Sequence, residues 1–543
     1  MVTVSAHVAL ELASEVSDVF GVMGNGNAWF LDAVLSHPGV AYTAVRHEAS
    51  AVAAADAYFR SSNRVAVATA TYGPGFTNAL TPLAEAVQAH VPVIFVVGDA
   101  PSNGARAWDI DQSVLARGIG ARTFRVTRSN AAGITRRALA YALGRQVPVV
   151  LSIPYDLADA EALPQGTSRR ASTISGVESL APDPAAIAKA VALLASAKRP
   201  ALLAGRGAWL SRSAGTMREL AEKIDAVTAT TALAINLFGD YERDLGVAGG
   251  FGAPAASHLL SQADVVLVVG ASLNQFTMRF GDTFGRNAIV IQIDTAPTPT
   301  NPVVSHFVGG DALLSLQAIV EAMPQSGTRW TAEESAQIAA AKRDRHPGTA
   351  LAPDGRLDPR SLATALNLLL PADRIVVQDG GHFIGWAPSY FDIPAPNRLI
   401  MVGTAFQTIG LGMASAVGAG RALPDSTIIL CTGDGGGLMG LADLETVIRT
   451  VRRGVVIVFN DAAYGAEIHQ YGVRGLNTRP MLIDEVNFAE TAAALGAQSS
   501  VVRTLDDLAS LERWLAAGQS GVYVVDCRVS QQIVAPYMAE WTK

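Results

Sequence analysis

Residues 427–461 read TIILCTGDGGGLMGLADLETVIRTVRRGVVIVFND, and this stretch decides the fold. An apolar run, Thr427–Cys431, leads into the turn Gly433-Asp434-Gly435-Gly436-Gly437. Leu438, Leu441, Leu444, Val447, Ile448 and Val451 then recur at helical spacing. Gly454 ends that stretch, and a second apolar run, Val455–Phe459, finishes at Asn460-Asp461. The two runs read as parallel strands joined by a right-handed crossover, so Asp434 and Asp461 emerge at the same sheet edge. Ligands of open α/β sheets bind at that carboxyl edge. Adjacent glycines let backbone amides approach phosphate oxygens. Mg²⁺ favours oxygen ligands and commonly shares them with phosphate. Asp434, Asp461 and a nearby carbonyl are therefore candidates to hold a metal ion and a diphosphate together.

The same grammar runs along the chain. Val65–Ala70, Val91–Val97, Val149–Ile153, Val265–Val269, Ala288–Ile293 and Ile375–Val377 are further strand candidates. Most lack in–out alternation, which predicts strands covered on both faces. The expected class is α/β, with three doubly wound, mostly parallel-sheet domains. Polar stretches at Leu163–Pro184 and Pro324–Pro359 read as linkers, giving units at 1–165, 185–325 and 355–543. The first and third echo each other. Gly73-Pro74-Gly75 opens a helical stretch to Ala89, and strand Val91–Val97 then ends at Gly98-Asp99, as Gly433–Asp461 does. A duplicated unit is expected.

Composition narrows the partners. The 543 residues are half hydrophobic, with a formal charge of −7, which gives no reason to expect nucleic acid. Cys431 and Cys527 are the only cysteines, so neither a disulfide framework nor a structural zinc site is indicated. Residues 1–16 carry no Lys or Arg and do not read as a signal peptide. No apolar run reaches the length of a membrane span. A soluble, cytoplasmic protein is expected.

The Gly433–Asp461 segment resembles the motif of the thiamine diphosphate-dependent superfamily, and other blocks resemble its acetolactate synthase-like group in order. Phe20–Gly26 is similar to the group's first loop, Arg46-His47-Glu48 with the Ala-rich run to Tyr58 to its next block, and Thr71–Asn78 to its Gly-Pro-Gly block. Asp379–Trp386 and Gly403–Gly412 are similar to its diphosphate and cofactor-bending segments. The resemblance implies a pyrimidine-binding domain, a Rossmann-like centre and a diphosphate-binding domain. Active sites would lie at the interface of a homodimer or dimer of dimers. It also implies the cofactors thiamine diphosphate and Mg²⁺.

The resemblance implies roles residue by residue. Glu48 matches the glutamate that hydrogen-bonds the aminopyrimidine, a task that low polarity favours. Gly24, Asn25 and Asn78 fall on the pyrimidine side. Asp434, Asp461 and the Ala463 carbonyl match the metal ligands, although Asn is more usual at 461. Gly380, Gly381, His382, Gly433, Gly435, Gly436, Tyr464 and Gly465 fall among the cofactor contacts. Ile409 matches the apolar residue that bends the cofactor, and the Gln407 carbonyl would receive its amino group. The group typically has Gly at 407.

The cofactor implies cleavage of a C–C bond next to the carbonyl of a 2-oxo acid. The acyl unit would then be ligated, as in a synthase, or released as an aldehyde. Trp108-Asp109 stands where synthases carry Phe-Gln. Glu467 falls where decarboxylases carry a catalytic glutamate; an ion pair with Arg474, or an exposed helix face, is the structural alternative. His469 lies near Glu467, and His90 reads as structural. Lyase action on 2-hydroxyacyl-CoA and hydrolysis of cyclic diketones suit the same scaffold. A non-catalytic cofactor-binding subunit and a pyridine-nucleotide enzyme are remoter readings. Gly205-Arg206-Gly207 and the Gly270–Gly281 segment with Arg279 would line a nucleotide cleft, where FAD is a candidate.

Overall fold

The computed structural model describes residues 2–163, 180–325, 327 and 329–541. Most of the Leu163–Pro184 stretch lies outside them. Three six-stranded sheets follow one another, and every pairing between their strands is parallel. The first contains Asp18–Gly21, Ala41–Ala44, Val67–Ala70, Ile94–Asp99, Arg122–Arg125 and Val149–Pro154. The third contains Arg374–Gln378, Leu399–Ile400, Thr427–Gly433, Arg453–Asn460, Gln498–Val502 and Gly521–Arg528. Counted in chain order within each sheet, both run 2-1-3-4-6-5 across the sheet, which supports a duplicated unit. The middle sheet, Pro200–Ala204 through Val304–Gly309, runs 3-2-1-4-5-6. That is the order of dinucleotide-binding folds. The expected α/β class with three doubly wound sheets is the observed one.

Residue chemistry explains the layers. The central strands of each sheet are buried along their whole length, as the unbroken apolar runs require. The long crossovers differ from expectation. The stretch after Gly433 is not one helix but two, Asp434–Met439 and Leu444–Thr450. The stretch after Gly73 splits likewise, into Pro74–Asn78 and Leu80–Gln88. In the third unit the break falls at Gly440, where a Cβ would lie 2.9 Å from the Gly410 carbonyl oxygen. The buried Asp443 just beyond it accepts from the Arg46 amide at 3.0 Å and from the hydroxyls of Ser50 and Thr446. The charged helix Ala332–Ala341 packs on the middle unit: Ile338 and Ala341 are buried there beside Trp330.

One core spans the first and third units. The Ala-rich helix Glu48–Ser62 lies against helix Gly412–Ala422 at backbone contact. A Cβ on Gly418 would meet the Ala54 carbonyl oxygen at 2.0 Å, so only glycine fits. Gly418→Ala should therefore cost roughly 1–3 kcal/mol as overpacking of a rigid contact. A clearly lowered thermal midpoint checks this, and an unchanged one would show that the helices slide apart freely. Beside this contact the buried Arg60 pairs with Asp56 and Glu85 and donates to the Met401 carbonyl at 3.1 Å. Glu85 in turn accepts from the Phe406 amide at 2.7 Å. This charge cluster fixes the 401–407 loop, next to the expected cofactor-bending residues.

Among the described residues no helix is long and apolar enough to cross a membrane. Both cysteines are buried and unpaired, and burial holds their thiols well above the usual range.

Candidate active site

Two groups of residues gather at carboxyl edges of sheets. At the third sheet, strand Thr427–Gly433 delivers Asp434 and strand Arg453–Asn460 delivers Asp461. Asp434 accepts from the Gly435 amide at 2.9 Å and the Ala463 amide at 3.2 Å. Asn460 turns the other way, donating to Asp526 at 2.9 Å and to the Val486 carbonyl at 3.0 Å. Ala462 then takes a left-handed conformation (φ 58°), which swings the chain back over Asp461. The bonds of the following bridge use the Ala462 carbonyl and the Tyr464 amide, leaving the Ala463 carbonyl outside the ladder.

Glycines let three loops close on this point. A Cβ would lie 2.6 Å from the Tyr464 ring at Gly435, and 2.6 Å from Asp379 Oδ2 at Gly436. At Gly380 it would lie 2.7 Å from Ile409 Cγ2. Asp379 is the fastener. Its Oδ1 accepts from the Gly380 and Gly410 amides, both at 2.8 Å, and its Oδ2 from Thr432 Oγ1 at 3.2 Å. Gln407 has φ 62°, a conformation that glycine adopts more readily, in keeping with the residue more usual there.

The electrostatics suit a cation. Burial raises Asp434 to about 6. Burial, reinforced by the charge of Asp434, raises Asp461 to about 8. Without a bound cation the folded chain holds these protons more tightly than the unfolded chain does. Its stability therefore falls as pH rises from about 4, where unfolded Asp titrates, towards 8. Mg²⁺ competes with the same protons, so it should raise the thermal midpoint more at pH 8 than at pH 6. A larger gain at pH 6 would contradict that. The described residues include no cluster of three or more acidic, His or Cys ligands. Two carboxylates and one carbonyl leave coordination positions for phosphate oxygens, as Mg²⁺ prefers, so these residues fit the cofactor pair.

The C-terminal segment closes the site from above, and nothing in the sequence pointed to it. The Ala535 amide donates to His382 Nε2 at 2.8 Å. Tyr537 Oη donates to the carbonyls of Gly381 and His382, at 3.1 and 2.9 Å. Gln531 donates to the Asp461 carbonyl at 2.5 Å. Accepting at Nε2 leaves the His382 proton on Nδ1. Burial, with His469 at 4.6 Å between ring centroids, lowers His382 to about 3 and keeps it neutral.

Asp434, Asp461, His382 and Tyr537 line one end of a cleft of about 1810 Å³. Glu467 and Gln407 also face it. Glu467 is exposed, and no ion pair joins it to Arg474 among the described residues. The other end reaches the middle unit at Arg206, Gly207, Gly270 and Asp294. Arg279 is not among the lining residues.

The second group sits at the first sheet. Asn78 Nδ2 donates to Glu48 Oε2 at 3.0 Å, and Glu48 is half-buried. The Gly26 amide donates to Thr71 Oγ1 at 2.9 Å, bringing the Gly24–Asn25 loop beside the Tyr72–Asn78 loop. Glu48, Asn78, Gly24 and Asn25 do not line the cleft that holds Asp434 and Asp461. Within one chain the two groups are separate.

A duplicated α/β frame with an acid pair and a glycine cradle on one copy, and a glutamate on the other, defines a two-part cofactor-binding protein. Family models for thiamine pyrophosphate enzymes match in order: the N-terminal TPP binding domain over residues 2–117, the central domain over 187–319 and the C-terminal TPP binding domain over 379–527. The chain belongs to this family, in its acetolactate synthase-like group. It is 30% identical to the acetolactate synthase large subunit of Parasynechococcus marenigrum, over 80% of this chain and 72% of that one. It is 27% identical to sulfoacetaldehyde acetyltransferase of Rhodobacter capsulatus, over 99% and 96%. Its fold matches the thiamine diphosphate-dependent 4-hydroxybenzoylformate decarboxylase of Rhodococcus jostii RHA1 with a TM-score of 0.81. That match is 22% identical and covers 97% of this chain and 99% of the other.

Proposed function

We propose that the protein is a thiamine diphosphate- and Mg²⁺-dependent enzyme that cleaves the C–C bond next to the carbonyl of a 2-oxo acid. The observation that carries this reading is the presence in one chain of two half-sites, Asp434–Asp461 with its glycine cradle and Glu48 with Asn78. When bound, the cofactor supplies the electron sink for that cleavage.

The chain's own residues do the rest. Asp434, Asp461 and the Ala463 carbonyl hold the metal ion. Gly380, Gly381, Gly433, Gly435, Gly436 and Gly465 keep the diphosphate channel open, with His382 and Tyr464 as its walls. Ile409 and the Gln407 carbonyl shape the bend of the cofactor. Glu48, with Asn78, Gly24 and Asn25 beside it, receives the pyrimidine. Because the half-sites lie apart in one chain, two copies complete each other, as a homodimer or dimer of dimers.

Glu467 decides the outcome. Glu467 lines the cleft with no ionic partner among the described residues, so its carboxyl can deliver a proton to the departing product and favour aldehyde release. Glu467→Gln should lower aldehyde formation by about 100-fold while leaving cofactor affinity unchanged. Equal rates would remove Glu467 from the reaction and favour transfer of the acyl unit to a second substrate. A screen of 2-oxo acids, 2-hydroxyacyl-CoA esters and cyclic diketones, with product identification, tests the reaction class. No cleavage of any 2-oxo acid by the Mg²⁺-loaded holoenzyme would reject the reading. Visible absorbance of the purified protein decides whether FAD occupies the middle unit's end of the cleft.

A further inference from the structure

Asp461 carries a negative charge where Asn is the more usual residue, so the tips of two neighbouring strands each bear a carboxylate. Gly433 pairs with Phe459 across those strands, and the chain segments that carry Asp434 and Asp461 therefore leave the sheet side by side. Both acids are buried: Asp434 is 3% exposed and Asp461 8%. Among the described residues no Lys, Arg or His forms an ion pair with either. Two buried like charges without a counter-ion are costly, and a divalent cation cancels both at once.

The pair is held in place by its own chain. Asp434 Oδ1 accepts from the Gly435 amide at 2.9 Å and Oδ2 from the Ala463 amide at 3.2 Å. Three other segments pin the turn that carries Asp461. Arg356, in the stretch before the third unit, donates to the Asn460 carbonyl at 3.0 Å and the Val529 carbonyl at 2.9 Å. Gln531 donates to the Asp461 carbonyl, and Asp526 accepts from Asn460 Nδ2 at 2.9 Å. A Cβ on Gly465 would lie 2.8 Å from Asp461 Oδ2, so glycine there leaves the carboxylate its place. A site that is ordered beforehand loses no affinity to its own ordering.

Arg356 does not neutralise the acids. Its remaining donor goes to Glu485 at 3.0 Å. The charge at the strand tips is therefore left for a ligand. Cation affinity at oxygen sites rises with the number of charged ligands and with rigidity. One carboxylate, one amide oxygen and one carbonyl would leave a dication dependent on phosphate charge. Two carboxylates match it by themselves.

We infer that Asp461 makes the metal site self-sufficient: one Mg²⁺ binds Asp434, Asp461 and the Ala463 carbonyl without thiamine diphosphate, and the cofactor joins a site already loaded. This rests on the Mg²⁺- and thiamine diphosphate-dependent reading above and adds the order of binding. Loading cancels the charge of the pair, so the diphosphate then meets a neutral cradle instead of two carboxylates that repel it.

The test titrates the full-length chain, freed of metal and cofactor, with Mn²⁺, which suits the same oxygen ligands as Mg²⁺. Electron paramagnetic resonance reads the free Mn²⁺, first without and then with thiamine diphosphate. One Mn²⁺ per chain should bind without the cofactor, and Mg²⁺ should displace it. Asp461→Asn, which keeps the shape of the side chain, should weaken this cofactor-free binding by at least about 10-fold. Once thiamine diphosphate is added, the variant should again take up one Mn²⁺, which also shows that it is folded. Wild-type binding of Mn²⁺ only with thiamine diphosphate present overturns the inference and leaves the reaction reading standing. Equal cofactor-free affinity in wild type and Asp461→Asn overturns it too, because the ion then sits elsewhere. So does an Asp461→Asn protein that stays empty with the cofactor, since phosphate then does not replace the carboxylate. Wild-type binding under neither condition rejects the inference together with the Mg²⁺-dependent reading.

Discussion

Glu48→Gln is expected to lower turnover by roughly two to four orders of magnitude, the range that a positioned acid–base group supplies. The substitution keeps shape and hydrogen-bonding capacity, so Asn78 retains a partner at the end of the short helix Pro74–Asn78. What it removes is a group that can carry and return a proton. The helix Glu48–Ser62 behind it is locked against helix Gly412–Ala422, so thermal stability should stay near wild type. Exchange of the cofactor's acidic C–H proton, followed by NMR in deuterated buffer, separates this loss from weak substrate binding. Turnover within a few-fold of wild type would remove Glu48 from the chemistry.

Asp434→Ala should weaken Mg²⁺-dependent cofactor binding by more than about 100-fold, since even residues supporting a metal ligand are commonly worth 10–100-fold. The side chain also accepts from the Gly435 and Ala463 amides, so its loss loosens the cradle as well as the charge. Removing one of two facing buried carboxylates relieves repulsion on Asp461. The variant without cation should therefore unfold no earlier than wild type near pH 8, although it binds cofactor worse. Calorimetric titration of thiamine diphosphate with Mg²⁺ measures the affinity. Unchanged affinity would place the diphosphate elsewhere.

The third sheet and its acid pair were legible because their signals are local. An apolar run, a glycine turn and an acid define a strand end without reference to anything distant. Asp434 and Asp461 thus stand together at one carboxyl edge, as a right-handed crossover between parallel strands requires. The sequence between them predicts one continuous helix, where two form. The periodicity of Leu438 to Val451 survives a kink, and the break at Gly440 is imposed by Gly410, which lies elsewhere in the chain. The edge strands Leu399–Ile400 and Gln498–Val502 are short or only partly buried, so their apolar signal is weak. The C-terminal cover was invisible for a related reason. Tyr537 and Gly381 lie 156 positions apart and meet only after the third unit has folded. Trp108 departs from the Phe-Gln pattern in the sequence alone, but the packing of Arg106 against the rings of Trp108, Tyr72 and Tyr155 joins loops that are distant in the chain.

The central claim is that two copies share each site, one giving Glu48 and the other Asp434. Mixing the inactive Glu48→Gln and Asp434→Ala proteins, with subunit exchange, tests it in one assay. In mixed dimers one site pairs the intact Glu48 with the intact Asp434, and the other carries both defects. Random exchange puts half of the dimers in mixed form, so activity should return to about a quarter of wild type. If each site lay within a single chain, every site in the mixture would carry a defect, and activity no higher than that of the separate variants would contradict the account.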